Sequence, residues 1–320
     1  MAELRKNDVY TASITGYTSE GEGVCRIEGR AVFVKGALAG EECEVKILKA
    51  TKTAVYGRLE RVLSPSEHRT VPECPTYRTC GGCGLMHMDY EEELRFKKEK
   101  VDAALRRIGG LDLETRCING AREIKGYRNK AIYAVGTENG KAVTGFFRRH
   151  THDVVPAESC LIQAEYSDRA AQAVRLWMDK YKIPPYDGKT GGGAVRHVFA
   201  RYAFHTGQGQ VTLVSGAERV PHIDELIKSI LEKCPETKSI VLNINKTKGN
   251  TVLAGNFETV WGDGYIDEKI CGSVFRLSPR SFCQVNIAQA QRLYEKAVEY
   301  AGLNGRETVI DLYCGTGTIT

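Results

Sequence analysis

Thr308-Val309-Ile310-Asp311-Leu312-Tyr313-Cys314-Gly315-Thr316-Gly317 is the stretch whose reading decides the fold. A short apolar run ending in an acidic residue, followed by a Gly-x-Gly turn, reads as a buried parallel strand opening a nucleotide-binding α/β unit. Glycine at Gly315 and Gly317 lets backbone N–H groups approach a ligand closely. A dinucleotide fingerprint needs Gly-x-Gly-x-x-Gly, and no third glycine follows before Thr320. Asp311, four positions before Gly315, suits a ligand that has no phosphates and carries a cationic amino-acid part. That form fits S-adenosylmethionine better than a dinucleotide, with a purely structural tight turn as the alternative. The sequence ends at Thr320, before the further strands that a doubly wound sheet needs, so the expectation is a chain truncated within its cofactor-binding loop.

Upstream, Ser273–Asn286 reads as a strand at Val274–Leu277 and an entry loop at Ser281–Asn286, and Ile287–Ala301 as an amphipathic helix. Residues 115–265 mix both periodicities. Strands are expected at Ala131–Val135, Ala142–Phe147, Val195–Phe204, Gln210–Ser215, Ser239–Asn245 and Thr251–Ala254, and helices at Ala164–Tyr181 and Ile223–Lys233. Glu138-Asn139-Gly140 is a hairpin signal. The whole reads as an α+β domain with antiparallel pairing.

Residues 8–63 alternate apolar and polar between glycine turns. Val9–Ile14, Gly23–Ile27, Arg30–Val34, Glu42–Leu48 and Ala54–Val62 make five short strands, the pattern of a small oligonucleotide-binding-like β-barrel. Lys35, Lys46, Lys49, Lys52, Arg58 and Arg61 give it basic residues. A helix over Tyr90–Ile108 ends at Gly109-Gly110.

Between barrel and helix lies Cys74-x5-Cys80-Gly81-Gly82-Cys83. Met1–Lys6 leads into polar sequence with no apolar run, and cysteines kept in a reducing compartment more often bind metal than pair. Zinc and an iron–sulfur cluster both suit such a thiolate set. The fourth ligand comes from Cys117 or Cys160, or from Cys25, Cys43, Cys234, Cys271, Cys283 or Cys314, and spacing does not choose.

Composition bounds the classes. The 320 residues suggest two or three domains, and a net charge of +5 permits a nucleic-acid partner without demanding one. No run approaches the roughly 20 apolar residues of a membrane-crossing helix, so no membrane partner is expected. Nothing repeats along the chain, and a cytoplasmic monomer is the expectation.

Taken together, these segments resemble the RNA 5-methyluridine methyltransferase family of the type that carries an N-terminal TRAM domain. Gly16-Tyr17-Thr18-Ser19-Glu20-Gly21-Glu22-Gly23-Val24 looks like TRAM, and the cysteine segment is similar to the family's iron–sulfur segment. His152-Asp153-Val154-Val155-Pro156-Ala157-Glu158-Ser159-Cys160 stands where the family places its fourth cysteine. The resemblance therefore implies a [4Fe–4S] cluster on Cys74, Cys80, Cys83 and Cys160. Ser281-Phe282-Cys283-Gln284-Val285-Asn286 resembles the family's Ser-Phe-Phe-Gln-x-Asn, departing only at Cys283, and implies that Gln284 contacts S-adenosylmethionine. By the same resemblance Asp311, Tyr313, Gly315 and Gly317 bind that cofactor, and the basic Arg128 and Lys130 of Tyr127-Arg128-Asn129-Lys130 face RNA.

The implied organisation is multidomain: a TRAM β-barrel over 1–65, an iron–sulfur segment with linker helix over 66–110, a central α+β RNA-binding domain over 111–265, and the start of a Rossmann-like α/β methyltransferase domain over 266–320. The implied reaction is methylation of uracil C5, with ribosomal RNA (23S) favoured over transfer RNA as partner. In the family a cysteine thiolate adds to C6 so that C5 can attack the methyl group, and a base then takes the C5 proton. The family's nucleophilic cysteine and base would lie beyond Thr320, so no catalytic residue is assigned here and the chain alone is expected to be inactive. A non-catalytic iron–sulfur RNA-binding module is the alternative.

Overall fold

A computed structural model describes residues 4–319, so the first three residues of the expected barrel and the last of the expected methyltransferase segment lie outside it. The chain divides into two compact units, residues 1–78 with 82–120, and residues 79–81 with 121–320.

The first unit holds a six-stranded sheet in the order β1-β5-β6-β4-β3-β2, made of Val9–Ser13 (β1), Gly16–Tyr17 (β2), Gly23–Ile27 (β3), Arg30–Lys35 (β4), Glu42–Ala50 (β5) and Val55–Ser64 (β6). The short β2 is one strand more than expected. Alternation works as the sequence implied: Cys25, Val32, Val34, Val45, Ile47 and Val55 all point into one core. Three register shifts between β5 and β6 bend that pair around the core. Gly57 sits at the tightest point, where a Cβ would stand 2.4 Å from Val45 Cγ1.

Helix α1, Tyr90–Arg107, starts at Asp89, whose side chain accepts from the Glu92 amide at 2.8 Å. Its buried Glu92 accepts from the Tyr17 hydroxyl, and Arg69 Nη2 donates both to buried Glu41 (2.7 Å) and to the Gly36 carbonyl (2.8 Å). These polar ties hold Arg69 and helix α1 to the sheet within the first unit.

The second unit is built on a seven-stranded sheet, β13-β12-β11-β10-β7-β8-β9. Its strands are Lys130–Glu138 (β7), Lys141–Phe147 (β8), Val154–Pro156 (β9), Val195–Ala203 (β10), Gln208–Ser215 (β11), Thr237–Ile244 (β12) and Asn256–Gly262 (β13). Helices Glu165–Tyr181 (α2) and Ile223–Lys233 (α3) share one core with Tyr133, Val195, Val198, Val211, Leu213, Ile240 and Leu242. Trp177 anchors that core, and its indole N–H donates to the His222 carbonyl at 2.8 Å.

In this sheet pairing is antiparallel except at one ladder. β11 and β12 run parallel, because α3 carries the chain back across the sheet between them. That corrects the all-antiparallel expectation. The strand expected at Thr251–Ala254 is loop, and β13 begins at Asn256. Asn245 holds that loop by donating to the Thr251 and Val252 carbonyls at 2.8 and 2.7 Å, so those residues close a turn and do not extend a ladder.

Beyond the sheet, a hairpin of Ile266–Ile270 (β14) and Ser273–Leu277 (β15) packs with helix α4, Ile287–Ala301, around Ile266, Leu277, Cys283, Ile287 and Tyr294. Sequence reading missed β14. The strand expected at Thr308–Leu312 does not form among the described residues: these positions are irregular, and Ile310 and Leu312 are more than three-quarters exposed. A parallel strand forms only against neighbours that take up its N–H and C=O groups.

Candidate cofactor and RNA site

The loop Ser278–Asn286 is held from beneath by an arginine. Arg201 lies on β10, is 2% exposed, and donates from Nη1 to the Ser278 carbonyl (2.8 Å) and from Nη2 to the Ser281 carbonyl (2.7 Å). Burial lowers its pKa to about 10. Buried Asn129 supports the next stretch, with Nδ2 donating to the Gln284 carbonyl (3.0 Å) and its amide to the Val285 carbonyl (2.9 Å). Asn286 then caps α4 through Oδ1, which accepts from the Gln289 amide at 3.1 Å. Gln284 itself is exposed at the centre of this braced loop.

The Gly-x-Gly turn meets the same loop. Thr316 Oγ1 donates to the Phe282 carbonyl at 3.2 Å, and Thr318 Oγ1 to the Tyr294 hydroxyl at 3.3 Å. Tyr313, Gly315 and Gly317 have φ of +68°, +60° and +73°, and the Gly317 amide donates to the Cys314 carbonyl at 2.9 Å. Tyr313 is fully exposed and holds a backbone conformation unusual for a non-glycine residue. Asp311 keeps a buried Oδ2 that has no hydrogen-bond partner. Such an orphan acceptor at a Gly-x-Gly loop fits a ligand bearing donors or a positive charge. The residues present therefore fit S-adenosylmethionine.

Cys283 is unsuited to nucleophilic work at this loop. Cys283 is 2% exposed in the hairpin core and burial raises its pKa, which suppresses the thiolate. Its packing place agrees with the aromatic that the resemblance puts there.

Arg128 and Lys130 are less available than the sequence suggested. The Arg128 backbone bridges to both Gln163 and Asn286, and its Nε is buried. Lys130 opens β7 half-buried, its pKa lowered first by burial and then by the charges of Arg201 and Arg128. Both lie where the 126–130 segment is threaded between 161–164 and 284–286.

The cysteines fall into two kinds. Cys25, Cys43, Cys234 and Cys283 are buried among apolar residues, whereas Cys74, Cys80, Cys83 and Cys160 are all half-buried. Cys74 Sγ lies 3.4 Å from Thr76 Oγ1, and its carbonyl accepts from the Tyr77 amide at 3.1 Å. Cys80 bridges to Arg148, beyond the end of β8. Gly81 must be glycine there, since a Cβ would stand 2.9 Å from the Phe147 carbonyl oxygen. Its amide donates to that carbonyl at 3.0 Å. The Cys160 amide donates to Asp168 Oδ2 at 3.1 Å, and the Tyr133 hydroxyl donates to the other oxygen. Burial raises the Asp168 pKa. The donor chemistry suits an iron–sulfur centre, but among the described residues no three Cys, His, Asp or Glu side chains are gathered closely enough to hold a metal ion.

Arg201, Asn129 and Thr316 were not singled out from the sequence. Arg201 alone carried a signal, an arginine inside an otherwise apolar strand.

An RNA methyltransferase of Clostridium tetani, itself uncharacterized, is 41% identical over 317 residues, which is 99% of this chain and 69% of that protein. One of Caldanaerobacter subterraneus is 40% identical over 320 residues, 100% of this chain and 71% of that protein. The chain belongs to this RNA methyltransferase family. The TRAM domain family matches residues 3–59, in agreement with the first sheet. The crystal structure of Pyrococcus abyssi tRNA (uracil-54, C5)-methyltransferase in complex with S-adenosyl-L-homocysteine superposes with a TM-score of 0.75 at 24% identity, over 97% of this chain and 69% of that one. That likeness shows a shared multidomain fold. Because relatives match this chain along its whole length, the expectations of an inactive chain and of a non-catalytic module gain no support.

Proposed function

We propose that this protein serves S-adenosylmethionine-dependent methylation of uracil C5 in RNA. The observation that carries the reading is the meeting of two loops: the braced Ser278–Asn286 segment and the Gly-x-Gly turn, joined at Thr316 and Phe282, with the orphan Asp311 carboxylate oxygen beside the turn. Around the cofactor, Gln284, Asp311, Tyr313, Gly315 and Gly317 are the proposed contacts. Once bound, S-adenosylmethionine supplies the methyl group. The residues of this chain hold it: Asp311 offers an acceptor, the glycines give close backbone approach, and Arg201 and Asn129 fix Gln284 in place. The structural neighbour's uracil C5 specificity supports the base and the atom.

Ribosomal RNA is the proposed substrate, with Arg128 and Lys130 as RNA contacts. The transfer-RNA reading is favoured by one observation, that the neighbour is a tRNA enzyme. Cys74, Cys80, Cys83 and Cys160 are the proposed ligands of a structural [4Fe–4S] cluster, supported by their shared half-burial, and the protein is proposed to act as a cytoplasmic monomer. The four-part division 1–65, 66–110, 111–265 and 266–320 is proposed as the functional one.

Protein given S-adenosylmethionine and either 23S ribosomal RNA fragments or transfer RNA is tested by mass spectrometry of nuclease digests. 5-Methyluridine in the ribosomal fragments is the expected product. Product in transfer RNA alone transfers the reading to that substrate. A different methylated nucleoside, or no product together with no binding of S-adenosyl-L-homocysteine, overturns it.

A further inference from the structure

A cleft of about 1330 Å³ opens on the second unit's sheet, at the ends of β7 and β10. It lies on the face opposite α2 and α3: Ala134 and His197, paired across β7 and β10, line it, while their neighbours Tyr133 and Val198 belong to the helix-covered core. We propose that this cleft binds unpaired nucleotides of single-stranded RNA. The inference rests on the RNA methyltransferase reading above and adds a site that shares no residue with Arg128 and Lys130 or with the cofactor loops.

Its floor is aromatic and partly open. Phe147 is 37% exposed, with the His152 ring 5.4 Å and the His197 ring 6.2 Å away, both steeply inclined to it. Every base offers a π-face, so an open aromatic of this kind accepts stacking without choosing a sequence. His197 adds a polar reader. Its Nδ1 is buried and has no hydrogen-bond partner, a state that costs free energy. Burial and the charge of Arg196 lower its pKa to about 4, so near neutrality the ring is uncharged and carries one donor and one acceptor.

The cationic groups are placed for a backbone. Arg196 stacks 4.8 Å from the Tyr186 ring centre and is fixed by the Asn245 and Thr247 carbonyls at 2.7 and 3.0 Å. Lys189 and Lys248 are exposed at the rim, on the two loops that flank the opening. Asp153 and Asp187 also line the cleft, so charge alone does not define it. A ligand read by stacking, with phosphates near the two lysines, matches the mixture better than a polyanion held by charge alone. The volume exceeds the roughly 300–1,000 Å³ of small-molecule pockets, which favours a stretch of several nucleotides over a single metabolite.

The test is anisotropy of a fluorescein-labelled single-stranded RNA oligonucleotide, with photocrosslinking of a 4-thiouridine-substituted version to the wild-type protein. Phe147→Ala is expected to weaken binding about ten-fold, within the range that stacking on one aromatic contributes. A Lys189→Ala, Lys248→Ala double variant is expected to flatten the logarithmic salt dependence by about 0.7 per lost phosphate contact. Crosslinks are expected within 147–152, 186–189 or 247–250. Wild-type binding that neither variant changes, or crosslinks confined to other segments, overturns the cleft and leaves the RNA reading standing. Absence of any RNA binding by the wild type overturns both.

Discussion

Val211-Thr212-Leu213-Val214 and Val309-Ile310-Asp311-Leu312 look alike as sequence, and they end in opposite states. The first lies in β11 between two neighbouring strands, with Val211, Leu213 and Val214 at most 1% exposed. The second is irregular, with Val309, Ile310 and Leu312 exposed. An apolar run supplies side chains for a core, while a ladder needs a partner strand to take up its backbone groups. The finished sheet is where stability resides, and the open loop beside Ser278–Asn286 is where a ligand is offered backbone and carboxylate.

Several measurements set these two regions against each other. Trp177→Ala empties the centre of the finished core and is expected to cost about 3–5 kcal/mol, whereas Ile310→Ala is expected to stay within about 0.5 kcal/mol. Denaturant midpoints for the two variants check this, and equal losses would break the contrast. Acid should act on the finished units next. His87 and His197 both have pKa values lowered to about 4 by burial, against about 6.5 when unfolded. Below 6.5 the unfolded chain takes up protons that the folded chain refuses, so stability is full above that value and falls as the pH drops towards 4. The loss is on the order of 3 kcal/mol for each histidine. Unfolding curves across pH 4–7 should steepen accordingly, and His197→Gln should remove part of the slope; a flat profile would count against buried neutral rings.

At the boundary between the two regions, Arg201→Met keeps the apolar stem but releases two carbonyls of the 278–281 loop. It is expected to cost about 2 kcal/mol and to hasten protease cleavage near Ser281. Unaltered cleavage would show that the loop holds itself. In the open region Gln284→Ala should leave unfolding unchanged while weakening cofactor affinity about ten-fold, a change of about 1.4 kcal/mol readable by calorimetry. Equal affinity would remove Gln284 from the site. Separately, anaerobic preparations are expected to contain iron and acid-labile sulfide, and Cys80→Ser to lose both; retention in that variant would exclude Cys80 as a ligand.

Much of the fold was legible because it is local. Helices α1 to α4 and the strands of the first sheet follow from periodicity, capping residues and glycine turns, and they lie within a few residues of where the sequence put them. What failed was pairing. The parallel β11–β12 ladder depends on a crossover, and β13 on where the Asn245-braced loop ends, and neither is written in a single segment. In the site, Gln284 and the Gly-x-Gly residues were visible as motifs. Their supports were not, because Asn129 and Arg201 reach their partners 155 and 77–80 residues away in the chain. The cysteines were visible as a clustered segment, and among the described residues they do not gather as a metal site.

The most direct measurement is calorimetric titration of S-adenosyl-L-homocysteine into the purified protein. Saturable binding of one molecule per chain, diminished by Gln284→Ala and by Arg201→Met, is the result this account predicts. No detectable binding to a folded wild-type protein would contradict it.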